Sequence, residues 1–503
     1  MIINDFKNRI FGIKSVEEFN ALALQAFEYQ RENCAVYRQY LELTGRLNLT
    51  PKSPFEIPFL PIRLFKTQDI VTPLSTSSQK IQSTCSSCTT TAPSAEGVPV
   101  LRTPQAKKAQ NAQGVPVFRT PQAPNTSSSA QGVPVLRTPQ AKKAQNAQGV
   151  PVFRTPQAPN TSSSVPGVPD FRTLGTKKAQ NVPGVPIFRT PGTPITFTSS
   201  ATTGMVPSHH IVQDISIYEQ SFRSAFHHFY GEDFNLLALL PSYLEREGSS
   251  LVYMADSLIK EAQQKGNTGG FFLYNHSELL NTLQALSSGI QENNSEGRKT
   301  ILLGVSFALL DFAAFIKEQI PNKDERRAIF KDVIIMETGG MKGRGKELSR
   351  SELHSTLSEA FATSAIHSEY GMCELLSQAY SFPINNGNTK VAATDNKAHI
   401  QQNDISVTGI FFTPPWMQVL LRDLQDPFKI LSAAPNKVSA KTLSGGINII
   451  DLANIGSCCF IETEDRGTLY PSAITAAYSI HPPFTVDSRI KNSELRGCNM
   501  LIE

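Results

Sequence analysis

The spacing of hydrophobic positions changes several times along the chain. Between Ser15 and Ala35 apolar residues recur at helical spacing, and Ser15 followed by Glu18 reads as an N-cap with a capping box. A second helix is expected over Val36 to Leu43. Further on, short apolar runs alternate with helical patterns: FNLLALLP, SSLVYMA, GGFFLYN, KTILLGVSF and DVIIMET are strand-like. A helix is expected near Ser351–Thr363. The longest apolar run, Ile301 to Ile316, is interrupted by Asp311 and too short to span a bilayer, so it predicts a buried strand entering a helix. Such alternation argues for an α/β fold with a mainly parallel sheet. From Ile410 onward strands follow more closely, as GIFFTPP, WMQVLLRD, GGINIIDLA and CCFIET, and predict a smaller β-rich part closing the chain. Asn385–Ser406 and Ser432–Ser444 read as surface loops.

From Pro73 to Pro194 this patterning stops. The phrase G-V-P-x-[LF]-R-T begins at Gly97, Gly114, Gly132, Gly149, Gly167 and Gly184, so spacings of 17 and 18 alternate in a unit of 35 residues. A period of that length can signal a solenoid. Each half-unit offers only two or three apolar side chains beside prolines, too few to offset the entropy of ordering. A disordered insert is therefore expected, joining two flanks that read as compact protein. A basic, Pro-rich arm that binds a partner is the alternative.

The chain of 503 residues is long enough for a large core and two or three domains. Its net charge of +4 is unevenly placed: the insert carries 13 Lys and Arg against 2 Asp and Glu, and the rest carries 34 against 41. The mildly acidic remainder gives no reason to expect a nucleic-acid surface. The start, MIINDFKNRIFGIKS, lacks the apolar stretch of a signal peptide. Seven scattered cysteines suit reduced thiols in a cytoplasm, and the lone C-x-x-C at Cys85 and Cys88 has neither a second pair nor a nearby His to complete a metal site.

Five stretches could carry chemistry. FTSSATTG, Phe197 to Gly204, is a loop of small hydroxyl residues after a short β-like run, able to offer backbone N–H groups and hydroxyls to a polyphosphate. It is not a Walker loop. IIMETGGMKGR, from Ile334, is a strand running into a Gly-rich turn, where an open α/β sheet binds ligands. In IHSEYGMCE, from Ile366, Glu374 follows a Tyr-Gly turn and could hold Mg²⁺ against phosphate. Asp451 closes the strand INIID, where a carboxylate commonly accepts from ribose hydroxyls. VDSRIKNSELRGC ends in Cys498. Each has a plainer reading: a Ser/Thr turn, solvated loop charges, a helix-capping glutamate, a strand-end turn and a charged tail.

Their order and spacing together resemble the adenylate-forming superfamily, and within it the acyl-protein synthetase family of LuxE type, the long-chain-fatty-acid–luciferin-component ligases. LALLPSYLER, ETGGMKGR, HSEYGMCELLSQAYS, INIIDLANI and ELRGCN carry the likeness, which covers nearly everything outside the insert. It implies an adenylate-forming α/β domain in which residues 1–72 form an N-terminal helical part. Residues 195–409 would be the nucleotide-binding core, and 410–503 a β-rich part with an acyl-acceptor tail, interrupted by the insert at 73–194. It also implies ATP and Mg²⁺, a fatty acid or other carboxylate as substrate, and an acyl-reductase or other acyl-acceptor protein as partner. Ser199, Ser200, Thr202, Thr203 and Gly204 would hold the phosphates, and Gly339 and Gly340 would lie along the adenine with Tyr370 and Gly371 near it. Glu374 would carry the metal, Asp451 the ribose, Arg489 would face the nucleotide, and Cys498 would accept the acyl group. The chain departs from the family pattern at Ala201, His209, Cys373 and Ser488. An acyl-CoA ligase of the phenylacetate type shares these motifs but continues into a further domain with a catalytic lysine. A non-catalytic protein that displays the repeats on an inert α/β body is the remaining alternative.

Removing residues 73–194 is expected to leave the thermal unfolding of the rest near that of the parent, because long surface insertions alter loop entropy only slowly. Loss of the folded state on deletion would contradict this.

Overall fold

The computed structural model describes residues 3–74, 193–199, 206–241, 248–289, 298–339, 348–383, 409–431, 443–470 and 478–490. The insert, apart from its outermost residues, and nearly all of the two expected surface loops lie outside them. Three helices open the chain, α1 (Ile3–Ile10), α2 (Val16–Asn33) and α3 (Ala35–Leu43). Ser15 caps α2 as its sequence requires, accepting from the Glu18 N–H at 3.2 Å. The Glu18 carboxylate returns to the N–H of Lys14 at 2.8 Å, one residue before the position a capping box uses.

Helix α2 buries Phe19, Leu22, Ala23, Ala26 and Phe27, and on the same face Gln30. A buried amide must find partners for both ends. Gln30 Nε2 donates to the carbonyls of Asn454 and Ile455, each at 3.1 Å, and its Oε1 accepts from the Cys459 N–H at 2.9 Å. The N-terminal helices are thereby tied to a turn near the end of the chain.

The remaining elements run β1 (Leu60–Pro61), β2 (Ile195–Thr198), β3 (His209–Val212), α4 (Ile215–Tyr230), β4 (Phe234–Leu239), α5 (Ser250–Gln264), β5 (Gly269–Phe271) and α6 (His276–Ser287). There follow β6 (Lys299–Val305), α7 (Ser306–Gln319), α8 (Lys323–Phe330), β7 (Val333–Thr338), α9 (Arg350–Phe361), β8 (Ile366–Tyr370) and β9 (Ala379–Ser381). The chain continues with β10 (Phe411–Phe412), β11 (Met417–Arg422), β12 (Ile430–Leu431), β13 (Leu443–Asp451), β14 (Phe460–Leu469) and β15 (Phe484–Arg489). Thirteen strands make one mixed sheet. One half is parallel, in the order β8-β7-β6-β4-β5. Its central strands are nearly continuous apolar runs, as strands buried on both faces must be. The other half, β12-β11-β13-β14-β15-β10-β9, is antiparallel and continues the same sheet through the β8–β9 pairing. Strands β2 and β3 form a separate hairpin. No described helix is long and apolar enough to cross a membrane.

One expected strand is a helix. SSLVYMA opens α5, because Ser249 caps it by accepting from the Val252 N–H. The buried residues continue as Val252, Ala255, Leu258, Ile259 and Ala262. That helical period shows only beyond the seven residues of the apolar run. The edge of the insert also shifts. Pro73 and Leu74 belong to the packed body: Tyr29 Oη donates to the Pro73 carbonyl, and Leu74 packs on the core.

Gln30→Leu keeps the volume but removes the side-chain partner of the Cys459 N–H and of the Asn454, Ile455 and Ser457 carbonyls, and is expected to destabilise by about 2–3 kcal/mol in urea unfolding. A loss below about 0.5 kcal/mol, the level of an ordinary surface substitution, would mean that Gln30 does not tie α2 to this turn.

Candidate active site

The carboxyl ends of all five parallel strands open on one cavity of about 400 Å³. Leu240 and Pro241 follow β4, Leu273 and Tyr274 follow β5, and Val305, Thr338 and Glu369 end or nearly end β6, β7 and β8. This is where an open α/β sheet places its ligand. The antiparallel half contributes Glu464 and Asp465 of β14 and Arg489 at the end of β15 to the lining. Thr198 and Ser199 enter from the β2 hairpin, and Glu374 from the turn after β8. The lining includes the apolar residues Leu240, Leu251, Met254, Leu273 and Phe307 and the carboxylates Glu369, Glu374, Glu464 and Asp465.

Four residues singled out from sequence meet here: Ser199, Gly371, Glu374 and Arg489. Ser199 is fixed by a two-way pairing with Ser208: its N–H donates to the Ser208 carbonyl at 3.0 Å and its Oγ accepts from the Ser208 N–H at 2.8 Å. Ser200, Thr202, Thr203, Gly204, Gly340 and Cys498 lie outside the described residues. Gly339 directly follows β7 with φ of 71°, a value that favours glycine, and its carbonyl accepts from Ser306 Oγ. Cys373 also lines the cavity.

Three placements differ from the expected ones. Gly339, expected along the adenine, is not among the residues that line the cavity. Tyr370 does not line the cavity; it is fully buried behind it, packed on Phe411 and Phe484, and its Oη donates to Asp465 Oδ2 at 3.0 Å. Asp451 is equally buried and its carboxylate is turned inward. Oδ2 accepts the N–H groups of Leu376 and Ser377, each at 2.9 Å, and Oδ1 accepts from Ser377 Oγ at 2.6 Å and from the Ala453 N–H. These contacts engage both oxygens internally, so Asp451 latches the segment after Glu374 instead of facing a ligand. Burial raises its pKa to about 6 against those hydrogen bonds.

The aspartate at the cavity is Asp465, which sequence reading passed over. It pairs across the ladder with Arg489, whose Nε lies 3.8 Å from Oδ1. A signal was present: Thr463, Glu464 and Asp465 put three polar residues in succession within a strand that starts apolar.

The Tyr-Gly-Glu turn is held from below. His210 is buried, and Nδ1 donates to the Cys373 carbonyl at 2.8 Å while Nε2 faces Ser457 Oγ at 2.9 Å. Burial lowers its pKa to about 4, so it is neutral at neutral pH and Nε2 can accept. Asn454 Nδ2 donates to the Glu374 carbonyl at 2.9 Å.

Behind the parallel strands, Glu337 of β7 sits 3.5 Å from His354 Nε2 and 3.8 Å from Arg350 Nε, both from α9. Burial opposes its charge, but His354 and Arg350 outweigh it and hold Glu337 below the usual carboxylate range. Glu369 is the reverse case: burial pushes it up to about 7, the nearby Glu337 adds to this, and the Thr338 hydroxyl only partly opposes it.

No family model and no curated protein matches the sequence. A solved structure that it resembles is the luciferase-like enzyme from the nonluminescent Zophobas morio mealworm. The identity is 16% and the TM-score 0.36, over 61% of this chain and 60% of that one. The chain thus spans less than two thirds of that structure.

Asp451→Asn keeps one acceptor oxygen and turns the other into an NH2 that faces N–H donors, and is expected to lower the unfolding free energy by about 2 kcal/mol or more. A variant as stable as the parent in urea would show that the latch is not structural.

Proposed function

We propose that the protein activates a carboxylic acid with ATP as an acyl-adenylate, releasing pyrophosphate, and passes the acyl group to a thiol. One observation carries this reading: Ser199, Glu374, Asp465 and Arg489, from four separate segments, converge on a single cavity at the carboxyl ends of the parallel strands. Their order is the one the family resemblance requires, except that Asp465 takes the place expected for Asp451. In this reading the Asp465 carboxylate accepts from ribose hydroxyls, Arg489 faces the phosphate, and the hydroxyl loop that begins at Ser199 embraces the leaving pyrophosphate. The apolar residues of the lining take the hydrocarbon part of the acid, which favours a fatty acid over a polar one.

The donor set suits Mg²⁺. The carboxylates at the cavity offer hard oxygen ligands, and among the described residues no three His, Cys, Asp or Glu side chains form a metal cage. Mg²⁺ is commonly held by one or two carboxylates together with substrate phosphates, a role that Glu374 fits. When bound, the ion neutralises charge that develops on the phosphates. The thiol acceptor is assigned to Cys498, since an acyl-adenylate is a mixed anhydride and a thiolate attacks it readily. An acyl-reductase or another acyl-acceptor protein would then take the group onward.

Acid-dependent exchange of labelled pyrophosphate into ATP is the test. Glu374→Gln keeps the shape of the side chain and is expected to reduce exchange by about 100-fold or more. Absence of exchange with every acid tried, or full exchange in Glu374→Gln, would refute the proposal.

A further inference from the structure

Glu369 has no part in the reading above, yet it lines the same cavity and is 6% exposed. Its Oε2 accepts from the Thr338 hydroxyl on the neighbouring strand. Its Oε1 lies beside Gly371, so close that a Cβ there would overlap it, and the same Cβ would stand 3.3 Å from Gln378 Cγ. Gly371 does not adopt a left-handed φ. Space, not conformation, is therefore what demands glycine: the missing side chain makes room for Oε1, in a cavity lining that also includes Glu374 and Gln378.

The surroundings set the proton affinity of this carboxyl. Glu337 of β7 faces it and is itself held charged by His354 and Arg350. Tyr218 and Tyr230 of α4 and Tyr380 of β9 lie near, all with pKa values pushed well up by burial and therefore neutral. The result is an acid that exchanges its proton close to neutral pH, where general bases are most effective.

Of the two half-reactions, only one needs such a group. The carboxylic acid that attacks ATP is already ionised at neutral pH, whereas a thiol with an ordinary pKa of about 8.5 is mostly protonated. We infer that Glu369, which lines the cavity beside Gly371, is the general base of the acyl-transfer step and removes the proton from the attacking thiol. The inference rests on the proposed adenylate chemistry. As sulfur bonds to the acyl carbon, the S–H proton moves to Glu369. The bond between the acyl carbon and the phosphate oxygen breaks, and its electron pair leaves with AMP.

The test compares the full-length protein with Glu369→Gln in three assays, using the best of a series of saturated fatty acids. These are pyrophosphate exchange, thioester formation with N-acetylcysteamine, and hydroxamate formation with hydroxylamine, which attacks as a neutral amine. Glu369→Gln is expected to lose about 100-fold or more in thioester formation while exchange and hydroxamate formation stay near the parent. The parent's thioester rate should rise through a limb near pH 7 that its exchange reaction lacks. That comparison needs no variant and decides the matter if Glu369→Gln fails to fold. Equal loss in all three assays, unchanged thioester formation, or absence of that limb overturns the inference. Absence of exchange in the parent instead overturns the adenylate reading, and this inference with it.

Discussion

The structure depends on satisfying the polar groups of one buried turn, residues 451–459. Each buried carbonyl and N–H there needs a partner, and the partners come from distant parts of the chain. Gln30 supplies them from α2, and Thr72 pairs with the backbone of Gly456 and Ser457. Gln213 reaches the Gly456 carbonyl from just beyond β3, and His210 faces Ser457 from β3 itself. At one end of the turn Asp451 gathers the N–H groups after Glu374, and at its middle Asn454 holds the Glu374 carbonyl. Low dielectric makes each of these bonds stronger and each vacancy costlier.

The cavity inherits its rigidity from that turn. Glu374 sits on a short connection between β8 and β9 that has little structure of its own, and its backbone is held through His210, Asn454 and Asp451. The two halves of the sheet then meet across it, the parallel half offering strand ends and the antiparallel half offering Asp465 and Arg489. A ligand placed there would touch segments separated by nearly 300 residues of sequence, from Ser199 to Arg489. Single-residue changes in the buried turn should accordingly be felt at the cavity, through the position of the Glu374 backbone.

The legibility of the chain followed the range of the forces involved. Runs such as FNLLALLP and KTILLGVSF declare strands because burial on both faces leaves no room for alternation, and β4 and β6 stand where those runs do. SSLVYMA misled because a helix opening with consecutive apolar residues looks like a strand until its period emerges. Asp451 stands at the end of its strand as expected, but side-chain direction is set by donors at 376 and 377, which no local pattern reveals. Asp465 was hidden for the same reason: its importance lies in Tyr370 and Arg489, which tertiary folding brings to it. Gln30 looked like an ordinary polar residue on an amphipathic helix, since its partners lie more than 400 positions away.

That last separation sets an order of events during synthesis. The contact from Gln30 to Asn454 spans 424 positions, and at ribosomal rates of about 5–20 residues per second the far partner emerges some 20 to 80 s after the first. Throughout that interval α2 has Phe19 and Phe27 on a face whose final partners, among them His481 and Phe460, do not yet exist. The first three helices must wait for the last strands, so the nascent chain carries an exposed apolar face for most of its translation and invites a chaperone to cover it.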